Sequence, residues 1–366
     1  MTTATYLTDA QADAFGAELD AIRDEIKASR GAKDAAYIRR MIRVQRGLDL
    51  GGRGLLFASF FPPAWVAGTA MLSVAKILEN MEIGHNVMHA QWDWMKDPKI
   101  HSSNWEWDTA CPSDQWKHSH NYMHHTYTNV VGMDRDVGYG ILRMSPQQKW
   151  RPWNLGQPVY NALLAGLFQY GVALHDVEFD QVLEGKKSVR AAWERLKAVG
   201  RKTGRQSLKD YVLFPLLSGP MFLHVLAGNA TANFVRNLWS YMIIFCGHFP
   251  SGSHTFSVEQ LQKETRGRWY LRQLLGSCNI DGGKLFHIMS GNLSFQIEHH
   301  LFPDLPSNRY AEIAPRVRAL CEKYGLPYNS GSLARQFGTT TWRVLRLSLP
   351  GGDSLEPQMP AQALAA

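Results

Sequence analysis

The histidines of this chain fall into clusters that lie far apart in the sequence. Three segments, "GHNVMHAQ", "WKHSHNYMHHTYTN" and "SFQIEHHLFPD", contain eight of its 14 histidines, and another histidine lies in "FCGHFPSG". Buried imidazole groups need a partner, which is either a hydrogen bond or a metal ion. A fold that joins the clusters into one site must therefore bring together segments more than 200 residues apart.

The first two clusters have helical spacing. His85 and His89 are four residues apart, so both face one side of a helix. A zinc protease has this spacing too, but it needs glutamate after the first histidine, and this chain has asparagine there. His120 and His124 share a helix face, whereas His125 points about 100° away. This divergence predicts that His125 can serve a different metal.

The third cluster shows a similar divergence. Gln296 lies one turn before His299 and His300, and these two neighbours point apart on a helix. Imidazole ligands without cysteine favour Fe, Cu or Zn. A structural zinc ion needs only four ligands, so one zinc would leave half of the clustered histidines unexplained. The spacing therefore predicts a two-metal centre and leaves the identity of the metals open.

Four apolar stretches predict an all-α membrane protein. They are residues 54–78, 158–177, 211–228 and 232–249. A helix needs about 20 apolar residues to span the hydrocarbon core of a bilayer. Pro62 and Pro63 interrupt the first stretch, so it can instead form a hairpin of two helices. Basic residues in the tracts between the stretches predict that those tracts lie on the cytoplasmic side.

The chain is predicted to have three parts. These are cytosolic amphipathic helices at residues 1–50, a membrane domain with its cap at 51–349, and a disordered tail at 350–366. A first helix is expected over residues 8–30, capped by Thr8 or Asp9 and ended by Gly31. The following segment "AAYIRRMIRVQRG" is basic and amphipathic, which suits either a membrane surface or a solvated helix.

Charge and cysteine content exclude some functions. The net charge of +7 favours anionic partners, but no basic run or recognition motif indicates binding to nucleic acid. The four cysteines form no C-x-x-C pair, which argues against a disulfide framework or a cysteine zinc site. The composition therefore favours an anionic membrane surface or an acidic redox protein as the partner.

The ordered motifs H-x3-H, H-x3-H-H and Q-x-x-H-H among apolar segments resemble the membrane fatty acid desaturase family. The segments "GNLSFQIEHHLFPDLPSNRY" and "APRVRALCEKYGLPY" are similar to the C-terminal signature of that family. "NMEIGHNVMHAQWDWMKDP" and "IFCGHFPSG" resemble the actinobacterial stearoyl-CoA and acyl-CoA desaturases in particular. The resemblance extends over roughly residues 35–349.

This resemblance implies a polytopic membrane protein with about four transmembrane helices under a cytosolic helical cap that holds two iron ions. It implies these metal ligands: His85, His89, His120, His124, His125, His248, Gln296, His299 and His300. The implied reaction is O2-dependent insertion of a cis double bond into a fatty acyl chain carried by CoA or a lipid. The implied location is the bacterial cell membrane, with the active site facing the cytoplasm.

Electrons for this reaction are expected from an external ferredoxin, cytochrome b5 or NAD(P)H-dependent reductase. The chain has no HPGG haem motif, and "GLDLGGRG" lacks the strand context of a nucleotide-binding fingerprint. Two rival functions share the motifs: a di-iron hydroxylase of alkyl, sphingolipid or carotenoid substrates, and a non-enzymatic metal- or haem-binding membrane protein. Both "SGPMFLHVLAGN" and "HSSNWEWDTACPSDQW" are candidate walls of an acyl tunnel.

Two positions depart from the pattern of the family. In the second box three residues lie between the first histidine and the histidine pair, whereas two are commoner in the family. The choice between His118 and His120 as that first histidine therefore stays open. Some members have asparagine one turn before the isolated histidine, His248, where this chain has Ile244.

Overall fold

The computed structural model describes residues 6–262, 264–352 and 355, which are predominantly helical. The first α-helices are α1 Asp9–Ala28, α2 Ala32–Phe57, α3 Pro62–Ile77, α4 Asn86–Met88, α5 Ser113–Trp116, α6 His125–Tyr127, α7 Gln157–Gly166 and α8 Phe168–His175. The others are α9 Phe179–Leu183, α10 Val189–Ser207, α11 Phe214–Leu217, α12 Phe222–His248, α13 Arg266–Leu275, α14 Lys284–Met289, α15 Gln296–Leu301, α16 Tyr310–Tyr324 and α17 Leu333–Leu347.

Shorter elements join these helices. Three segments are π-helical: Leu78–His85, Lys117–His124 and Leu208–Leu213. The 3-10 turns are Asp93–Met95, Gly138–Gly140, Pro152–Gly156, Gly219–Met221, Val258–Leu261, Leu293–Phe295 and Ser307–Arg309. Strands β1 Asn279–Asp281 and β2 Ser330–Ser332 form a parallel pair in which Ile280 lies opposite Gly331. The predicted tail at 350–366 lies outside the described residues except for 350–352 and 355.

The first predicted helix is confirmed as α1. Thr8 caps it, since its hydroxyl accepts a hydrogen bond from the Gln11 amide at 3.3 Å. The Gln11 side chain accepts a bond from the Thr8 amide at 2.9 Å, which completes a capping box. Phe15 and Leu19 on its inner face are fully buried in the core formed with α13 and α16. The cap accounts for the start of the helix, whereas its end at Ala28 is capped by Ser29 and not by Gly31, which is instead the N-cap of α2.

The first apolar stretch forms a helical hairpin rather than one helix. Phe61 is extended and precedes the two prolines, which occupy the first turn of α3, where no amide donor is needed. Gly52 of α2 and Gly68 of α3 meet so closely that a Cβ on either would lie 2.9 Å from the carbonyl oxygen of the other. The hairpin alternative given by the sequence is therefore the one observed.

The prediction of about four transmembrane helices is wrong. Within the described residues, no helix combines the length and the apolar character needed to cross a membrane. Residues 158–177 are divided at Leu167 between α7 and α8, and residues 211–228 are divided among several short elements. Helix α12 has 27 residues, but it buries the polar side chains of Asn229 and Arg236. The all-α character of the prediction holds, apart from the short β1–β2 pair.

A buried charge network explains why polar residues occur inside these apolar helices. Lys76 Nζ of α3 lies 2.7 Å from Asp210 Oδ2, and Arg53 Nη2 of α2 lies 3.3 Å from Asp210 Oδ1. Asn229 of α12 donates to the Asp210 carbonyl at 2.7 Å. Buried charges are tolerated only when they are paired and hydrogen-bonded. The network therefore links α2, α3 and α12 through side chains that the sequence pattern did not show to be partners.

Strand β1 and the segment that precedes β2 hold the third histidine cluster in place. Asn279 of β1 accepts a hydrogen bond from the Ile297 amide of α15 at 2.9 Å. Its amide group donates to Glu298 Oε2 at 2.9 Å, and Tyr328 donates to Glu298 Oε1 at 2.8 Å. Burial raises the pKa of Glu298 to about 7. These contacts fix α15 and thereby the two histidines that follow Glu298.

Candidate metal centre

The nine predicted ligand residues meet in one cluster. They come from the first two π-helical segments, the residue after α4, the start of α6, the last turn of α12, and α15. His85 and His299 have ring centroids 5.0 Å apart, although they are 214 positions apart in the sequence. His124 and His248 have centroids 4.7 Å apart. The fold thus joins all the histidine clusters, as a single assembled site requires.

One part of the cluster is a four-histidine group, formed by His85, His89, His120 and His299. One ring nitrogen from each lies within 4.8 Å of the others, which permits all four to hold one metal ion. The Nε2 atoms of His85 and His120 face each other at 3.3 Å. Such convergence of lone pairs is the arrangement that a metal ion stabilises.

The other part is a three-histidine group, formed by His124, His248 and His300, whose nitrogens also lie within 4.8 Å of one another. Gln296 is next to it, with Nε2 at 3.0 Å from His248 Nε2. His125 stacks on His300 with ring centroids 4.4 Å apart and combines in a further possible set with His299 and His300. His125 therefore lies between the two groups.

A π-helix alters the spacing that the sequence suggested for the second box. Lys117–His124 is π-helical, so its residues per turn differ from those of an α-helix. His120 belongs to the four-histidine group and His124 to the three-histidine group, but their rings stack with centroids 5.0 Å apart, and with Asp136 they form a further possible set. His118 lies outside the cluster, 45% exposed and 3.6 Å from Glu178, so the structure favours His120 over His118.

Several histidines are oriented by partners that sequence reasoning missed. The Nδ1 atoms of five histidines contact side chains that belong to neither histidine group. The pairs are His85 with Asn86 at 3.2 Å, His120 with Asp136 at 3.3 Å, His124 with Asp134 at 2.9 Å, His299 with Tyr310 at 3.3 Å and His300 with Gln273 at 3.0 Å. Such contacts fix the ring and direct Nε2 inward. The pair of aspartates in "DRD" shortly after the second box was the only sequence signal for any of them.

Burial keeps most of the cluster uncharged. Burial, and then the neighbouring imidazoles, lower the pKa of six histidines well below its usual value: His85, His89, His125, His248, His299 and His300. Burial would also lower the pKa of His124, but the Asp134 carboxylate raises it overall. Neutral imidazole is the form that binds metals.

Several buried polar atoms of the cluster have no hydrogen-bond partner, and their positions indicate whether the cluster suits metal ions. Within the described part of the chain, buried atoms without a hydrogen-bond partner include Nε2 of His89, His124, His125, His299 and His300, and Oε1 of Gln296. A buried polar atom left without a partner costs about 1–3 kcal/mol. Since these orphaned atoms converge on two centres, the residues fit a pair of metal ions.

A largely apolar cavity adjoins the four-histidine group. Its walls include Trp107, Trp116, Tyr139 and Phe168, and His120 lies at its edge. Thus the tryptophan-rich segment that the sequence suggested as a tunnel wall does line a cavity beside the histidines. Tyr139 adopts φ of 52° between two glycines that also have positive φ, which directs this part of the chain along the wall.

The sequence pattern of the fatty acid desaturase family matches residues 60–332, a range that contains the whole histidine cluster. The chain belongs to the fatty acid desaturase family. This desaturase is therefore an oxidoreductase, and the predicted resemblance is confirmed.

Relatives of the desaturase extend the match. Two proteins from strains of Mycobacterium tuberculosis, each named NADPH-dependent stearoyl-CoA 9-desaturase, are 52% identical over 350 residues. Those residues are 94% of this chain and 82% of each relative. An acyl-lipid (7-3)-desaturase of Diacronema lutheri is 33% identical over 226 residues, which are 58% of this chain and 48% of that protein. The similarity to the mycobacterial proteins thus covers nearly the whole desaturase.

Proposed function

We propose that this desaturase inserts a cis double bond into the acyl chain of an acyl-CoA, using O2 and two iron ions. The observation that carries the proposal is the pair of adjacent, buried histidine groups. The name of the mycobacterial relatives supports stearoyl-CoA as the substrate and position 9 as the site of the double bond. Neither rival function, hydroxylation or non-enzymatic metal binding, has a specific feature of the structure in its favour.

The proposed ligands divide between the two ions. The four-histidine group would hold one ion, and the three-histidine group with Gln296 would hold the other, with His125 available between them. An amide offers only its carbonyl oxygen or a water-mediated contact, which is a weaker ligand than imidazole. Gln296 would therefore leave the second ion the more open of the two.

Iron is proposed because the substrate lacks an acidic proton. When bound, the two ions would supply the O2-dependent redox chemistry needed to remove hydrogen from an unactivated CH2 group. The side chains themselves bind, orient and exclude water. Trp107 and Phe168 line the cavity in which the acyl chain would lie, next to His85 and His120. Holding one C–C bond close to the metal centre is the main contribution of the protein.

Asp136 fixes the proton of His120 at a defined atom. Its two oxygens lie 3.3 Å from Nδ1 of His120 and 3.3 Å from Nε2 of His175. Burial would raise the pKa of Asp136, but hydrogen bonds from these two histidines hold it well below its usual range. The carboxylate therefore keeps a proton on Nδ1 of His120 and leaves Nε2 free to bind a metal.

The electron donor is proposed to be a separate protein. The name of the mycobacterial relatives points to NADPH as the source of electrons, and a ferredoxin, a cytochrome b5 or an NAD(P)H-dependent reductase could deliver them. The net charge of +7 would suit an acidic donor.

We also propose membrane association, with the metal centre on the cytoplasmic side. The hairpin and the neighbouring helices expose large apolar side chains to the surroundings: Leu50, Phe57, Phe60, Phe61, Val66, Leu216, Leu217 and Leu223. Exposed apolar surface on this scale marks a contact with lipid or protein. The predicted division of the chain at residues 50 and 349 remains a prediction, and α2 runs continuously through residue 50.

Expression of the chain in a desaturase-deficient bacterial host tests the proposed function. We expect a mono-unsaturated fatty acid whose double bond mass spectrometry places at position 9, and no such product from His89→Ala. A hydroxylated acid, or no product from protein that contains its full complement of iron, would overturn the proposal.

A further inference from the structure

A basic cleft lies on the surface at the N-terminal half of α2. Arg39, Arg43 and Arg46 from this helix form one side, and Lys99 from the loop after the first histidine box lies on the other. All four of these side chains belong to exposed residues. The cleft has no place in the proposed reaction, so its positive charge needs a separate explanation.

The charge of the cleft is mostly uncompensated. Arg39 pairs with Asp97 at 3.2 Å, and Asp97 is the only acidic residue among those lining the cleft in the described chain. No ion pair within the described residues involves Arg43, Arg46 or Lys99. Four cations thus line the cleft beside a single carboxylate, whose pKa both Lys99 and Arg39 lower, and the remaining excess of positive charge suits an anion. Arginine is especially suited to phosphate, because its guanidinium group donates two parallel hydrogen bonds.

The floor of the cleft is apolar. Ile42 of α2 and Ile100 of the loop lie at its base, with only 7% and 6% of their surface exposed. A free inorganic phosphate would gain nothing from this floor. An amphiphile with a phosphate group would use both the floor and the rim.

The face of α2 that carries these arginines continues toward the C-terminal end of the helix with exposed apolar side chains. At 100° per residue, Arg39, Arg43, Arg46, Leu50 and Phe57 fall within an arc of about 60° on one face. Leu50 is 76% exposed and Phe57 is 38% exposed. About 16 Å of helix separates Arg46 from Phe57, so phosphate-binding and apolar parts follow each other along one face.

We propose that this face of α2 binds an anionic phospholipid, with its phosphate in the cleft and an acyl chain along Leu50 and Phe57. The order of cations and apolar side chains along the helix matches the order of headgroup and chain in such a lipid. This inference rests on the proposed membrane association and adds a preference for lipid charge. Lipid is favoured over an acidic protein because the cations and the exposed Leu50 and Phe57 follow one another along one face of the helix, as a headgroup and an acyl chain do in a lipid.

Vesicle flotation with the full chain tests the proposal. Wild-type protein would be mixed with vesicles of phosphatidylcholine alone or of phosphatidylcholine with phosphatidylglycerol. Each basic side chain near an anionic surface contributes about fivefold to binding, so three contribute on the order of 100-fold. We expect Arg43→Gln/Arg46→Gln/Lys99→Gln to lose most of the gain from phosphatidylglycerol and to bind phosphatidylcholine as the wild type does.

A matched variant separates the cleft from net charge. Lys149→Gln/Lys284→Gln/Arg335→Gln removes the same charge at exposed positions elsewhere and should keep most of the gain. Leu50→Gln should weaken binding to both kinds of vesicle, because it removes an exposed apolar side chain from this face of α2.

The outcomes distinguish the two proposals. Equal losses in the two triple variants would overturn the proposed lipid site in the cleft. Displacement of phosphatidylglycerol vesicles from wild-type protein by free CoA or by an acidic ferredoxin would overturn it as well. Binding to phosphatidylcholine without preference for phosphatidylglycerol would overturn the proposed lipid site in the cleft but would support membrane association. Absence of binding to either vesicle would overturn both.

Discussion

Asp134 Oδ2 lies 2.9 Å from Nδ1 of His124, and both side chains are almost completely buried. The same oxygen accepts a hydrogen bond from the backbone N–H of Asn129 at 2.7 Å. Asp134 therefore anchors a loop and orients an imidazole of the three-histidine group at the same time. A carboxylate behind a metal-binding histidine also increases the basicity of that ligand.

Asp134→Asn should reduce desaturation about 10–100-fold. The amide is nearly the same size but carries no charge, so it would hold the ring less firmly and make it less basic. Product formation and iron content would be measured together, and the exposed Asp114→Asn serves as the control. A variant with the wild-type rate and full iron would show that Asp134 serves the loop alone.

Gln296→Leu should lose most turnover while much of the iron stays on the histidines. Leucine leaves the position beside His248 without a polar atom, whereas Gln296→His supplies a stronger ligand and should retain iron and measurable activity. Wild-type behaviour of the leucine variant would reduce Gln296 to a packing residue.

Gly247→Ala should resemble Gln296→Leu, because it acts on the same side chain. A Cβ at Gly247 would lie 2.9 Å from Cγ and Cδ of Gln296, so the glutamine would have to move. Gly200→Ala is the matched control, since a Cβ there meets nothing within 4 Å. Loss of activity only at Gly247, measured on equal amounts of folded protein, is the expected result.

His89→Ala, His124→Ala and His300→Ala should each abolish product and lower the iron content. His89 belongs to the four-histidine group, and the other two belong to the three-histidine group. His101→Ala should keep most activity, because its ring contacts Ser103 and lies outside both groups. Equal loss at His101 would mean that the boundaries of the site are drawn wrongly.

Metal analysis of anaerobically reconstituted protein should give two irons per chain and no zinc requirement. The surplus of imidazoles over the needs of one ion is the reason. Chelation should abolish activity, and restored iron should return it. One tightly held zinc, with activity independent of iron, contradicts this expectation.

The sequence predicted which residues converge better than it predicted their geometry. Spacing and resemblance together identified the nine residues that meet in one cluster, because a histidine motif is a local property of its own segment. The π-helix at Lys117–His124 was not predicted, because it arises from packing that no single segment reveals. Asp134 and Asp136 were missed for the same reason, since a carboxylate orients a histidine only through tertiary contact.

The wrong prediction of spanning helices has a similar origin. Hydropathy counts side chains in a window, but it does not show where a helix is interrupted, as at Leu167. It also cannot show that Arg53, Lys76 and Asp210 pair with one another inside the protein. The start of α1, by contrast, follows from Thr8 and its own capping box, so it could be predicted locally.

The wide separation of the converging histidines in the chain has a consequence for biosynthesis. The four-histidine group needs His85 from the first third of the protein and His299 from near its end. A ribosome therefore releases almost the entire polypeptide before either group is complete. A metal ion held by either group could be installed only after translation has passed α15, so a chain truncated or stalled before that helix would lack both complete groups.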